Sequence, residues 1–297
     1  MSQSLSTPQG NLFYEIHSGR ISILSYEGTD HYLEIPDNIE DCPVTRIAPK
    51  AFLGNRQIRQ LVLPSQIAEV GDWAFSHMTG LEYLTLPPRE ITLGRQVFLD
   101  CPVLTEIRIQ GQFEKSPELS SYLAAALMIL KNPFLFRPSD AGKDFWYAEF
   151  DAALCRFLER PDDEGFEPVY LGWFEDEDVM ATQHPGYIKQ KRLEKAALSM
   201  KRLRFPNALN NDVSKLYESY LRSHFSTGVW ECFCTKEFAS DCAYLKILLD
   251  LGCVTEANMD SLLADVNRIG ACEAAVMLLQ YQQTHLTKSD FFSDLTL

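Results

Sequence analysis

Phe52, Phe75 and Phe98 stand 23 residues apart, and the pattern around them repeats at the same step. Each follows an apolar residue: Ala51, Ala74 and Val97. The same interval relates Ile47 to Val70 and Leu93, and Ile58 to Leu81 and Leu104. It also relates Leu61 to Leu84 and Ile107, and Leu63 to Leu86 and Ile109. Pro64 and Pro87 follow the first two members of that last series. A fixed period of this length marks stacked units, and it constrains the fold more than any other feature of the chain.

The physics of one unit is direct. The pairs Leu61/Leu63, Leu84/Leu86 and Ile107/Ile109 alternate as a short half-buried strand does. A proline after the strand ends it, because proline cannot donate to a continuing ladder. The Ala-Phe step then falls in the return segment, where a large ring fills the space between stacked turns. No unit this small buries its apolar side alone, so the units must stack. The expected product is a solenoid of about four units with a parallel sheet on one face. Upstream, Leu33-Glu34-Ile35-Pro36 reads as another strand end, followed by a stretch five residues longer than the repeat allows. Residues 12–17 and 20–26, joined by Ser18-Gly19, predict a hairpin that caps the open end. Residues 1–10 are expected to be a disordered tail.

These residues resemble the BspA-type leucine-rich repeat family, whose unit reads roughly V-x-x-I-x-x-x-A-F-x-x-x-x-x-L-x-x-I-x-L-P. Residues 44–64 (VTRIAPKAFLGNRQIRQLVLP) and 69–87 (EVGDWAFSHMTGLEYLTLP) match closely. Residues 91–109 match more loosely, with Val97 for the alanine and Gln110 for the proline. The resemblance covers residues 11–112 and implies a binding role. Many family members are cell-surface proteins with dozens of repeats that bind host or matrix proteins. This chain departs from them in its few units and its long non-repeat extension.

After Gly111 the apolar spacing becomes helical. Helices are predicted over 119–130, 152–158, 188–203, 212–224, 236–251, 256–269 and 272–283. Asn211-Asp212 and Thr255 are the expected N-caps, and Gly252 and Gly270 sit where C′ glycines belong. Pro161, Pro168, Pro185 and Pro206 punctuate the connections, with an acidic loop over about 161–187. Leu248-Leu249 and Leu278-Leu279, thirty residues apart, end helices in a way that resembles a degenerate ankyrin-like pair. The T-P-L-H turn is absent, and an irregular bundle is the competing reading. The expected fold class is therefore α+β. It places a short leucine-rich-repeat solenoid with a parallel sheet over 11–113 and an all-α helical domain over 114–297.

Charge narrows the partners. The 297 residues carry 27 Lys and Arg against 41 Asp and Glu, a net −14. Residues 1–113 hold eight basic and thirteen acidic side chains, and 114–297 hold nineteen and twenty-eight. Neither part offers the net positive potential that a general nucleic-acid or anionic-membrane binder needs. MSQSLSTPQG has no basic residue and no apolar run, so no secretory signal is expected there. No window reaches eighteen apolar residues. The eight cysteines are scattered, which favours reduced thiols and a cytoplasmic location, and the family resemblance implies a bacterial protein.

Chemical motifs are sparse. Cys232-Phe233-Cys234, with His224 before and Cys242 after, is too tight for a zinc knuckle and reads as a packed helix entrance with Trp230. Lys189, Lys191, Arg192, Lys195, Lys201, Arg202 and Arg204 form a basic run interleaved with Leu193, Ala196, Ala197, Met200 and Leu203. That pattern predicts one solvated face of a packed helix, against which the acidic loop (Asp162-Asp163-Glu164 and residues 175–178) folds. No nucleophile elbow, P-loop, dinucleotide or zincin motif is present, so neither an enzyme nor a cofactor is expected. An enzyme with its site in the helical part or at the domain junction, around Trp173 and His184, is the alternative. Pairing of His184 with Cys155 has no support from spacing. Alternation on the repeat strands turns Gln60, Val62, Tyr83, Thr85, Glu106 and Arg108 outward. They form a mixed patch with a central aromatic, suited to a protein partner. Whether that patch binds a partner or is covered by the helical part stays open, as does surface adhesion of the kind longer family members perform.

Overall fold

In the computed structural model, which describes residues 2–112, 116–167 and 176–286, the 23-residue step builds two parallel sheets rather than one. The strands, in chain order, are β1 (Gln3–Thr7), β2 (Gly10–His17), β3 (Arg20–Glu27), β4 (Tyr32–Glu34), β5 (Asn38–Ile39) and β6 (Cys42–Ile47). They continue as β7 (Gln60–Val62), β8 (Glu69–Val70), β9 (Tyr83–Leu86), β10 (Thr92–Leu93) and β11 (Glu106–Ile109). One sheet runs β4-β7-β9-β11, all parallel, and carries the apolar-x-apolar pairs. The other runs β1-β2-β3-β6-β8-β10, parallel from β3 onward. The Ile47, Val70 and Leu93 series supplies this second sheet. Its later strands are only two residues long, too short to show alternation.

Between the sheets the core is apolar. Leu33, Leu61, Leu84 and Ile107 are fully buried from one side, and Ile23, Ile47 and Val70 from the other. The phenylalanines form the expected column, with ring centroids of Phe52, Phe75 and Phe98 5.6 Å apart. The column extends beyond the repeats, to Tyr26 on β3 and to Phe136 past the last strand. Tilted rings at this spacing add attraction to burial that is itself worth roughly 1.5–3 kcal/mol per side chain.

Polar groups also keep the 23-residue step. Arg46 pairs with Glu69, Arg59 with Glu82, Asp72 with Arg95, and His77 with Asp100. The Trp73 indole N–H donates to Gln96. Gly71 and Gly94 are required by close approach. A Cβ on either would lie 2.5 Å from the backbone nitrogen of the turn before, at Pro49 or Asp72.

At the start of the chain, residues 3–7 do not form a disordered tail; β1 pairs antiparallel with β2. The β2–β3 hairpin turns through Ser18 and Gly19, both at positive φ, as a two-residue primed turn demands. The five extra residues are absorbed in a second small hairpin. There β5 pairs with β6 across Glu40 and Asp41, again both at positive φ.

The chain divides into two compact units, Met1–Phe150 and Asp151–Leu297, instead of at 113 as the change of period suggested. The first unit includes α1 (Pro117–Met128), which packs on β11 through Leu119 and Leu123 against Ile107 and Ile109. It also includes the start of α2 (Asp144–Glu159). Trp146, Phe150 and Tyr122 are fully buried there, and the Trp146 N–H donates to the Leu135 carbonyl. This aromatic cluster closes the end of the repeat core.

In the second unit the helices are α3 (Asp176–Arg204), α4 (Asn211–Ser223), α5 (Val229–Phe233), α6 (Lys236–Ala239), α7 (Cys242–Asp250), α8 (Glu256–Arg268) and α9 (Cys272–Tyr281). α3 starts well before the expected 188 and runs through Pro185, so the predicted loop over 161–187 is much shorter. The expected helix over 236–251 is two, because the Asp241 carboxylate caps α7 at the Ala243 N–H. The N-cap of α4 is Asn210, one residue before the expected pair. Thr255 caps α8 in a box with Asn258. Gly252 and Gly270 take left-handed φ, and each ends its helix with the paired 6→1 and 5→2 bonds of a Schellman motif.

The basic run on α3 is a solvated face only in part: Lys189 is exposed and Arg192 and Arg204 are partly so, but two other members are buried. Lys195 and Arg202 are 2% and 0% exposed. Arg202 donates to both oxygens of Asp151 at 2.7 and 2.8 Å, and to the carbonyls of Phe205 and Asn207. The Tyr217 hydroxyl donates to the same carboxylate at 2.9 Å. Lys195 and Arg192 both hold Asp162 at 2.8 Å. Lys189, Lys201 and Arg204 reach Glu231, Glu237 and Asp241, and Lys191 reaches Glu194. The run therefore neutralises carboxylates of its own unit. The acidic loop meets it through Asp162, while Glu175 lies outside the described residues.

Candidate binding surface

On the β4-β7-β9-β11 sheet the inward residues fix which side chains face out. With Leu33, Leu61, Leu84 and Ile107 in the core, their neighbours form two cross-strand rows on the outer side. One row is Tyr32, Gln60, Tyr83 and Glu106; the other is Glu34, Val62, Thr85 and Arg108. All six predicted residues thus share one face. Tyr32 and Glu34 were not predicted, because the β5–β6 hairpin puts β4 28 residues before β7 and off the repeat. Leu33 and Ile35 already marked that strand, so extending alternation to β4 would have found them.

The face is tied together at its polar positions. Arg108 lies over the Tyr83 ring, 4.4 Å from its centroid, and holds Glu106 at 2.8 Å. The Tyr32 hydroxyl donates to Glu34 at 2.8 Å, and partial burial together with that carboxylate raises its pKa. Tyr32 is 41% exposed. Arg59 and Glu82 flank the rows, 2.6 Å apart. The result is an amphipathic surface with two aromatic rings and side chains already ordered. It holds no nucleophile–base pair.

The other candidate groups are dispersed. His184 packs edge-on against Phe166 at 4.9 Å, whereas Cys155 sits beside Tyr217. Trp173 lies outside the described residues. Burial pushes the Cys232 thiol up to about 12 and Cys234 up to about 11, away from thiolate chemistry. Cys242 instead faces Glu273. Among the described residues no three His, Cys, Asp or Glu side chains gather as a metal site requires. Among them, too, no helix is long and apolar enough to cross a membrane.

The class these features define is a leucine-rich-repeat solenoid followed by a helical region. Residues 31–122 match the family model described as BspA type Leucine rich repeat region, in six copies. The match stops short of the helices read as ankyrin-like. Among solved structures, a T. pallidum leucine rich repeat protein is 31% identical over 32% of this chain and 45% of its own, with a TM-score of 0.30. A leucine rich cell surface protein from Faecalibacterium prausnitzii is 21% identical over 36% and 32% of the two chains, with a TM-score of 0.29. A leucine-rich repeat protein from Bacteroides capillosus is 18% identical over 36% and 99%, with a TM-score of 0.28. The chain spans less than half the length of the first two. No curated protein matches.

Proposed function

We propose that the repeat unit is a non-catalytic protein-binding module, docking a partner on the outer face of β4-β7-β9-β11. The observation that carries this reading is the pair of tyrosines on one cross-strand row, one of them braced by a guanidinium. Tyrosine and arginine are enriched among the few residues that dominate the energy of protein contacts, and ordering them before binding lowers its cost. Size sets a limit on the mode. Four strands at about 4.8 Å spacing, with two outward positions each, make a face roughly 14 Å by 7 Å. That is far below the ~800 Å² per partner of a stable complex. The face is then the centre of a contact that extends onto flanking turns such as Arg59 and Glu82.

The test is a Tyr32→Ser, Tyr83→Ser double variant compared with the parent chain in a pulldown from native lysate. A partner captured by the parent and lost by the variant, with melting temperatures within about 3 °C, supports the reading. Capture of the same partner by both chains overturns it.

A further inference from the structure

The second sheet carries a different kind of surface on its outer side. Register places Glu15, Ser22, Arg46, Glu69 and Thr92 in one row across β2, β3, β6, β8 and β10. Beside this row, His17 pairs with Arg20 where the hairpin turns. A cleft of about 660 Å³ opens here, and Arg89, from the turn before β10, forms part of its wall. That volume suits a small ligand rather than a macromolecular interface.

The groups lining the cleft are not matched among themselves. Arg46 is engaged by Glu69 at 3.1 Å. The side chains of Arg20, Arg89 and His17 make no ion pair or hydrogen bond among the described residues. Glu15 is the remaining carboxylate, so the unengaged charge is positive even with His17 neutral. In an acidic chain this is a local reversal of sign. A second observation points the same way. Ser22, 7% exposed, lies among the lining residues, and its hydroxyl has no hydrogen-bond partner. A buried hydroxyl left unmatched is costly, and an acceptor reaching it from the cleft would relieve that cost.

We propose that this cleft binds a small multivalent oxyanion, a phosphate or polycarboxylate compound, between Arg20 and Arg89 with Ser22 at its floor. Planar guanidinium groups recognise both kinds of oxyanion through paired N–H donors. The site is separate from the tyrosine face and does not depend on it.

The experiment titrates the full chain with pyrophosphate and, separately, with citrate by calorimetry, against sodium chloride at matched ionic strength. Saturable binding of either probe is expected, and the probe that binds more tightly identifies the class. An Arg20→Gln, Arg89→Gln double variant should weaken it at least tenfold, with unchanged melting because neither side chain is engaged in the fold. Ser22→Ala should weaken binding several-fold while leaving the melting temperature equal or higher. No binding of either probe beyond the chloride control overturns the proposal. So does binding that survives in the double arginine variant.

Discussion

At the scale of single residues, the buried charges of α3 dominate. Arg202 has no exposed surface, and each Asp151 oxygen takes one of its donors. Removing one partner strands the other in a low-dielectric interior. Arg202→Met should therefore lower unfolding stability by about 3–5 kcal/mol in urea titrations. Replacing both, as Asp151→Leu with Arg202→Met, should recover much of that loss, because no orphan charge remains. Asp162 gives a pH signature. Burial alone would raise its pKa, but the Lys195 and Arg192 contacts outweigh burial and hold it below its ordinary 3.8. A depressed carboxylate stabilises the fold above its unfolded pKa and loses that contribution as pH falls through the folded value. Stability of the parent should thus drop as pH falls below about 4. Asp162→Asn, measured by melting between pH 6 and 2, should start lower and show a flatter decline. The Asp162 contacts were legible in outline, as an acidic loop expected against the basic run, whereas the Arg202–Asp151 pair was not. The partners lie 30 to 51 residues apart, and a basic run reads the same whether it faces water or carboxylates.

At the scale of elements, legibility followed period. The phenylalanine column and the apolar pairs of β7, β9 and β11 could be read directly, since stacking forces identical positions to recur. The second sheet could not, because β8 and β10 are each two residues long and one residue in each faces the core. The candidate face was readable on three strands and lost on the fourth, where the β5–β6 hairpin breaks the count. The long α3 was cut short in the reading because Pro185 looks like a boundary, yet the helix contains it. Phe75 tests the column itself. It has no exposed surface and touches rings on both sides. Phe75→Ala should cost about 3–5 kcal/mol, and Phe75→Leu clearly less, by chemical denaturation.

At the scale of the molecule, the border between units falls inside α2, which sequence period alone did not reveal. Trp146 and Phe150 belong to the first unit although they lie in a helical stretch. A fragment of residues 2–159 should therefore melt cooperatively. One ending at 143 loses two fully buried aromatic side chains and should melt at least 10 °C lower or aggregate, as circular dichroism would show.

The polar contacts that keep the 23-residue step have a consequence for how such a chain can lengthen. Its apolar positions would accept another copy of the middle unit without complaint. Its charges would not. A duplicated middle unit sets Glu69 against a second Glu69, Asp72 against a second Asp72 and Glu82 against a second Glu82. Like charges set directly opposite each other on adjacent turns of the stack are destabilising, as they are on paired strands. Each turn is thus addressed to its own neighbours, and the stack has an order written in charge as well as a length.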